Sequence, residues 1–227
     1  MRDQRYVPAA GYRFLTGLYD PVLALTMREK TFRSRLQDDV LAHLPAQGLV
    51  ADVGCGTGTF AVALSAAGAQ VVGVDGDRDA LARATAKPGA SRVAWREGMA
   101  DDLPLDTASA DAVVMSLLLH HLEPPGKRAA LTEALRVLKP GGRLHIADWG
   151  RPRDPVMRVA FLALQFVDGF PGTQPHARGE LPGYLAEAGF VEVATRARFR
   201  TTWGLLELLG AAKPADSMTK RCVPPAA

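Results

Sequence analysis

From Leu49 onward, short apolar runs alternate with stretches whose apolar residues recur every three or four positions. That alternation predicts strands and helices in turn. Leu49-Val-Ala-Asp-Val reads as a buried strand, followed by a helix from Thr59 to Ala67 that Gly68 stops. Gln70 to Asp75 is the second strand, and Asp77 to Ala86 a helix ending before Pro88. Arg92 to Arg96 and Asp111 to Ser116 are the third and fourth strands. A helix from Pro124 to Leu138, halted by Lys139-Pro-Gly-Gly, leads to a fifth strand from Arg143 to Asp148. Strands separated by helices imply a parallel sheet with right-handed crossovers, an α/β fold.

The flanks differ. Residues 13–43 read as helical, with a short helix from Arg13 to Leu18 and a second opened by Asp20 as cap and Pro21. Val22, Leu25, Phe32, Leu36, Val40 and Leu44 give that second helix one apolar face. After the fifth strand, 154–168 reads as a helix apolar nearly all round and buried on several sides. Residues 169–179 read as a Gly/Pro-rich loop and 180–188 as a short helix ended by Gly189. Val191 to Phe199 and Thr202 to Ala211 form a hairpin. The expected organisation is one domain over 1–212: a helical cap (1–45), a ligand-binding core (49–150), an insertion (151–190) and the hairpin (191–212). A loose tail follows from 213 to 227.

Composition narrows the function. In 227 residues the net charge is only +3, and 48% are hydrophobic, so a single apolar core is expected without disulfides or metals. No nucleic-acid partner is expected, because the cluster Arg196, Arg198, Arg200 alternates with Ala and Phe like the solvent face of a strand. Cys55 and Cys222 have no CxxC partner or neighbouring His cluster, so neither a zinc site nor a redox pair is expected. With a charged N-terminus and no apolar run of membrane-spanning length, the expectation is a soluble, cytoplasmic protein.

The chemistry concentrates in Asp52-Val-Gly54-Cys55-Gly56-Thr-Gly58, between the first strand and its helix. Glycines there let the backbone turn sharply and approach a ligand, which in open α/β sheets binds beyond the carboxyl ends of the strands. A dinucleotide loop would need glycine at position 59, which is Thr59, and no Gly-Lys-Ser/Thr of a Walker loop is present. Asp75 ends the second strand, twenty-one residues after Gly54, where a carboxylate can accept both hydroxyls of a ribose. A helix cap is the plainer reading of Asp75.

Val50 to Gly58 resembles motif I of the class I S-adenosylmethionine (SAM)-dependent methyltransferases, and Val72-Gly-Val-Asp75 their motif II. Gly98-Met-Ala-Asp-Asp-Leu-Pro-Leu, Asp111 to Leu122 and Leu135 to Leu144 are similar to the later motifs, in order. The resemblance implies a Rossmann-like seven-stranded sheet, 3-2-1-4-5-7-6 with strand seven antiparallel and helices on both faces. It implies SAM as cofactor, S-adenosylhomocysteine as product, and Asp52, Gly54, Cys55, Gly56, Gly58, Asp75, Gly76, Met99, Ala100, Asp101, Ser116 and Leu117 as cofactor-binding residues. Asp101 is assigned to the adenine amino group, with Asp102 as the neighbour that a one-residue slip would substitute.

The ends of the chain are similar to the ubiquinone/menaquinone C-methyltransferase group. Ser116-Leu-Leu-Leu-His-His stands where those enzymes carry an Arg-Asn pair, so no quinone substrate is assigned. The expected reaction is in-line methyl transfer to a small-molecule acceptor. A peptide or protein acceptor, or a SAM-binding regulatory or scaffold protein without turnover, are the alternatives. His121, with His120 beside it, is the candidate general base, since neutral imidazole accepts protons near pH 7. Packing or backbone bonding is the plainer reading of both. His145 is expected in the core or on the cofactor side. Tyr12, Tyr19, Asp148, Trp149 and Phe161 are candidate acceptor contacts, and Asp148 is equally a turn or cap residue. For the 154–168 helix, ordinary core or a homodimer surface compete with a role over the acceptor pocket. No metal is expected to take part.

Overall fold

The computed structural model describes residues 29–215. The expected helix 13–18, Tyr12, Tyr19 and Cys222 lie outside the described residues. A helix α1 (Glu29–His43) precedes a seven-stranded sheet. Its strands are β1 (Leu49–Val53), β2 (Gln70–Asp75), β3 (Val93–Glu97), β4 (Ala110–Ser116), β5 (Leu138–Trp149), β6 (Val191–Thr201) and β7 (Gly204–Ala212). They stand in the order β3-β2-β1-β4-β5-β7-β6, with β7 antiparallel to both neighbours. This is the order that the resemblance implies. The helices are α2 (Thr59–Ala66), α3 (Arg78–Thr85), α4 (Pro124–Val137), α5 (Pro155–Asp168), α6 (Phe170–Arg178) and α7 (Leu181–Glu187).

Strand alternation divides the core in two. Phe32, Leu36 and Val40 of α1 pack with Phe60 and Leu64 of α2, Phe161 and Leu164 of α5, and Val50 and Val114 of the sheet. On the other face, Leu131 and Val137 of α4 and Leu181 and Leu185 of α7 cover Ala51, Val113 and Ile146. Val50 pairs with both Val71 and Ala112, so β1 is central and the carboxyl ends of β2, β1 and β4 form one rim.

Several elements differ from the expectations. Strand β5 starts at Leu138, not Arg143. Leu138 pairs with Ala110 ahead of the register shift, and the Lys139-Pro-Gly-Gly segment stays within the strand. Residues 169–179 are not a loop: α6 occupies them. Pro171 falls in its first turn, where a missing N–H is harmless, and Gly169 and Gly179 cap the two ends. Helix α5 is not buried on several sides. Met157, Phe161 and Leu164 face inward, while Val156, Val159, Phe166 and Val167 are exposed, Phe166 to 78%. An all-apolar helix carries no periodicity to mark its inner face. Gln165 is fully buried instead, bonded to Thr173 and Gln174 of α6 and to Arg158.

Lys213, expected in the loose tail, is tied to the sheet. Its N–H donates to Gly142 O, and its ammonium to Leu138 O. His145 faces α1, where Nδ1 meets the Asp39 carboxylate at 2.8 Å, and so is not on the cofactor side. Arg198 and Arg200 pair with Glu207 and Asp154 on the hairpin's outer face, as a strand's solvent side would.

Candidate functional site

The loop after β1 is built on the ends of two strands. Gly54 N–H and Cys55 N–H both donate to Val74 O, and Gly56 N–H donates to Asp75 Oδ2 at 2.7 Å. Asp77 N–H takes the other oxygen of Asp75 at 2.8 Å. Asp77, not Asp75, caps α3. A carboxylate has about four lone-pair sites, so acceptor capacity for a ribose diol remains. Burial pushes the Asp75 pKa up, and the backbone donors of Asp77 and Gly56 oppose this.

Two glycines show why the loop reads as it does. Gly54, at φ +69°, sits where a Cβ would meet the Leu118 side chain at 2.7 Å. Gly56, at φ +53°, has no atom within 4 Å of a Cβ position, so its outer side is an open cradle. The Cys55 thiol packs toward Gly73 of β2, and burial raises its pKa, leaving only its backbone for a ligand.

Beside the loop is a cavity of about 610 Å³ lined by Gly76, Arg78, Glu97, Gly98, Met99, Asp102 and Pro104. Gly76 lies against Met99, whose sulfur is 2.6 Å from its Cβ position. Asp102 rather than Asp101 is among the lining residues, and Asp102 N–H closes a turn onto Met99 O. Across the rim, Ser116 ends β4, and Leu117 holds φ +55°, a left-handed conformation costly for a branched side chain. Its N–H donates to Ala147 O of β5. Strain of this kind is not visible in a sequence.

Residues 50–142 match a family model described as a methyltransferase domain. The chain is 30% identical over 179 residues to a ubiquinone/menaquinone biosynthesis C-methyltransferase of Syntrophotalea carbinolica, covering 67% of this chain and 73% of the relative. The chain belongs to the SAM-dependent methyltransferases. It is also 41% identical over 113 residues to a demethylmenaquinone methyltransferase of Clavibacter sepedonicus, covering 49% of this chain and 45% of that protein. The match thus spans about half the length of that relative. The YcgJ protein of Bacillus subtilis shares the fold, with a TM-score of 0.66 at 18% identity over 80% of this chain and 97% of that one.

The family's cofactor is SAM, and the loop fits its amino-acid end. Asp52 is 1% exposed at the end of β1, and its Oδ2 has no hydrogen-bond partner. Burial pushes its pKa up to about 7, against the opposing charge of Arg33. A buried carboxylate oxygen left open beside the glycine loop suits an ammonium group.

A second cluster of titratable side chains lies beyond β4 and β5. A one-turn helix, Leu119–His121, follows β4 and carries both histidines. His120 is buried, its Nδ1 2.8 Å from Asp148 Oδ1, and its N–H donates to Asp148 Oδ2 at 3.3 Å. His121 is exposed, its ring centroid 3.9 Å from that of His120. The protein wall around the His121 ring, and then His120, lower its pKa, so it is neutral at pH 7.

Asp148 is a buried anchor rather than an open contact. Its carboxylate also takes Trp149 N–H at 2.7 Å. Trp149 and Phe161 are buried edge to face, with centroids 6.1 Å apart.

Two residues of this region escaped sequence reasoning. Lys127 is fully buried and its ammonium donates to Leu119 O, Leu122 O and Gly172 O. His176 of α6 is buried with Nδ1–H donating to Trp149 O at 2.8 Å. Among the described residues no three His, Cys, Asp or Glu side chains group as metal ligands, and no helix is long and apolar enough to cross a membrane.

Proposed function

We propose that this chain transfers a methyl group from SAM to a small-molecule acceptor, with His121 as the group that receives the acceptor's proton. The observation that carries the reading is the pair of histidines at the carboxyl rim of β4. His120 is buried and fixed on Asp148, while His121 is neutral and open to solvent. The printed names of the relatives, which refer to demethylmenaquinone and to ubiquinone/menaquinone biosynthesis, support a small acceptor.

SAM, when bound, supplies a methyl carbon made electrophilic by its sulfonium. The residues that would hold it are the Gly54–Gly58 loop, Asp52, Asp75, Gly76, Met99 and Ala100, with Ser116 and Leu117 facing from β4. Asp102 is proposed in place of Asp101 for the adenine side, because it lines the cavity beside Met99. Asp75 both receives the ribose hydroxyls and fixes the loop through Gly56 N–H. His121 accepts the proton of an alcohol, phenol or ammonium acceptor as its nucleophile forms the new bond to carbon. Asp148 holds His120, and through it the turn that carries His121. Helix α6 packs on the same turn from behind, Gly172 against His120 O.

The test is to supply labelled SAM with a panel of phenols, quinols, alcohols and amines and to follow S-adenosylhomocysteine and labelled product. Turnover of at least one small acceptor is expected. Cofactor binding with methylation of peptides alone overturns the acceptor class.

A further inference from the structure

The outer face of α5 is apolar along its length. Val156, Val159, Phe166 and Val167 are each more than half exposed, and Ala163 is exposed between them. Positions 156, 159, 163 and 166 step by three or four residues, so they share one face of the helix. Phe170, at the start of α6, extends that face. Its ring meets Phe166 edge to face, with centroids 5.3 Å apart. Among the described residues, every exposed large hydrophobic side chain except Met99 belongs to this stripe. A contiguous apolar patch on a protein surface marks a place where something binds.

The charge around the stripe has one sign. Between 151 and 179 the chain carries Arg151, Arg153, Arg158 and Arg178, with no lysine and no glutamate. The two acids of that segment are Asp154 and Asp168, and both are engaged. Asp154 caps α5 at Met157 N–H and pairs with Arg200 at 2.8 Å. The Asp168 side chain is buried and turned toward His120. Arg151, Arg153 and Arg178 are exposed. Arg151 lies against Gly179, so the start of α5 and the end of α6 bring these cations to one region.

Two features therefore have to be matched, an apolar ridge and unopposed positive charge. A second copy of this chain matches neither well. A stable dimer takes about 20–30 residues a side, against the six apolar side chains of this stripe. The same segment on a second copy also brings no open acid to face the arginines. A lipid surface with anionic headgroups matches both, because an amphipathic helix lying in its plane buries the apolar side chains while its cations stay at headgroup level.

We propose that the outer face of α5 docks the protein on an anionic lipid bilayer. Val156, Val159, Phe166, Val167 and Phe170 enter the acyl boundary, and Arg151 and Arg153 meet the headgroups. The contact is peripheral and reversible, a helix lying on the membrane rather than crossing it.

The experiment is co-sedimentation of the full chain with two kinds of vesicle, phosphatidylcholine alone and a three-to-one mixture of phosphatidylcholine with phosphatidylglycerol. Wild-type protein should bind the mixed vesicles ~10-fold or more tightly than the neutral ones, as expected for two arginines at an anionic surface. High salt should erase that preference. Phe166→Ser should weaken binding to the mixed vesicles ~10- to 100-fold, the loss expected for one buried phenylalanine. Arg151→Gln combined with Arg153→Gln should remove the preference for anionic lipid. Both proteins should melt as wild type does and bind S-adenosylhomocysteine with unchanged affinity.

Wild-type protein that ignores the mixed vesicles overturns the proposal and gives the stripe to another part of the chain, residues 1–28 included. Equal binding to both vesicle types overturns it too, as does a Phe166→Ser protein that binds as wild type does. A wild-type dimer in light scattering that Phe166→Ser converts to monomer assigns the stripe to a second copy instead. None of these outcomes touches the methyl-transfer reading, because turnover of a soluble acceptor needs no bilayer.

Discussion

His120 Nδ1 lies 2.8 Å from Asp148 Oδ1, and both side chains are at most 5% exposed. Burial alone would raise the pKa of Asp148, but His120 and His176 outweigh it and hold the carboxyl well below the usual carboxylate range. A charged carboxylate therefore sits behind the histidine-bearing turn, beside the imidazoles of His120 and His176. His176 is the quietest of these. Its Nδ1–H is committed to Trp149 O, its Nε2 is buried without a partner, and burial lowers its pKa to about 4.

That lowered pKa has a stability consequence. An unfolded histidine titrates near 6.5, so between about pH 6.5 and 4 the unfolded chain binds the extra proton. Folding stability is then fully present above pH 6.5 and is lost as pH falls toward 4, by about 3 kcal/mol from this residue. Urea melts from pH 7 to 4 should show a shallower pH dependence for His176→Gln than for wild type. Parallel curves would show that His176 is not held neutral.

The glycine loop separates a ligand-facing glycine from a packing one. Gly56→Ala meets no atom and should cost only about 1–2 kcal/mol of left-handed strain, yet it should abolish measurable S-adenosylhomocysteine binding. Gly58→Ala would drive a methyl into the Trp95 ring and Ala84, at φ +74°. It should lower the melting temperature much more than Gly56→Ala does. Thermal melts with and without ligand read both effects.

Asp52 should couple cofactor binding to proton release. Its pKa of about 7 in the free protein means that part of the population carries the proton at neutral pH, and an incoming ammonium would expel it. Titrations with S-adenosylhomocysteine in buffers of different ionisation enthalpy should report a fractional proton released near pH 7. The release should vanish in Asp52→Asn. Zero release in wild type would place the ammonium elsewhere.

For an acceptor that arrives protonated, His121→Ala should lower turnover by the ~100- to 10,000-fold typical of general-base loss and leave S-adenosylhomocysteine affinity nearly unchanged. Because the His121 pKa is lowered, the acid limb of the rate profile should fall below pH 6.5 rather than at it. A variant with wild-type turnover removes His121 from the chemistry.

Much of this was legible in the sequence, and the exceptions share a cause. The strand order was what the resemblance to the methyltransferase family implied, and the Gly54–Gly58 loop and Asp75 come together because strands β1 and β2 are adjacent. The hairpin was visible in two runs separated by a few residues. Helix α6 was not, because Pro171 and Pro175 read as breakers until their places in the helix are known. The outward face of α5 was hidden by its uniform apolarity. Arg33, Lys127 and His176 were missed because each acts across the fold. Arg33 faces a carboxylate nineteen residues on, Lys127 reaches a carbonyl forty-five residues away, and His176 bonds a strand twenty-seven residues back.

The Lys127 ammonium also bears on how the molecule breathes. By holding Leu119 O and Leu122 O together with Gly172 O, it joins the histidine-bearing turn to α6 through one buried charge. Gly172 presses so closely on His120 O that a Cβ would not fit between them. Neither segment can detach without leaving that charge facing orphaned carbonyls, so the two should open as a single cooperative unit. Amide hydrogen exchange would then give the turn and α6 one shared opening free energy.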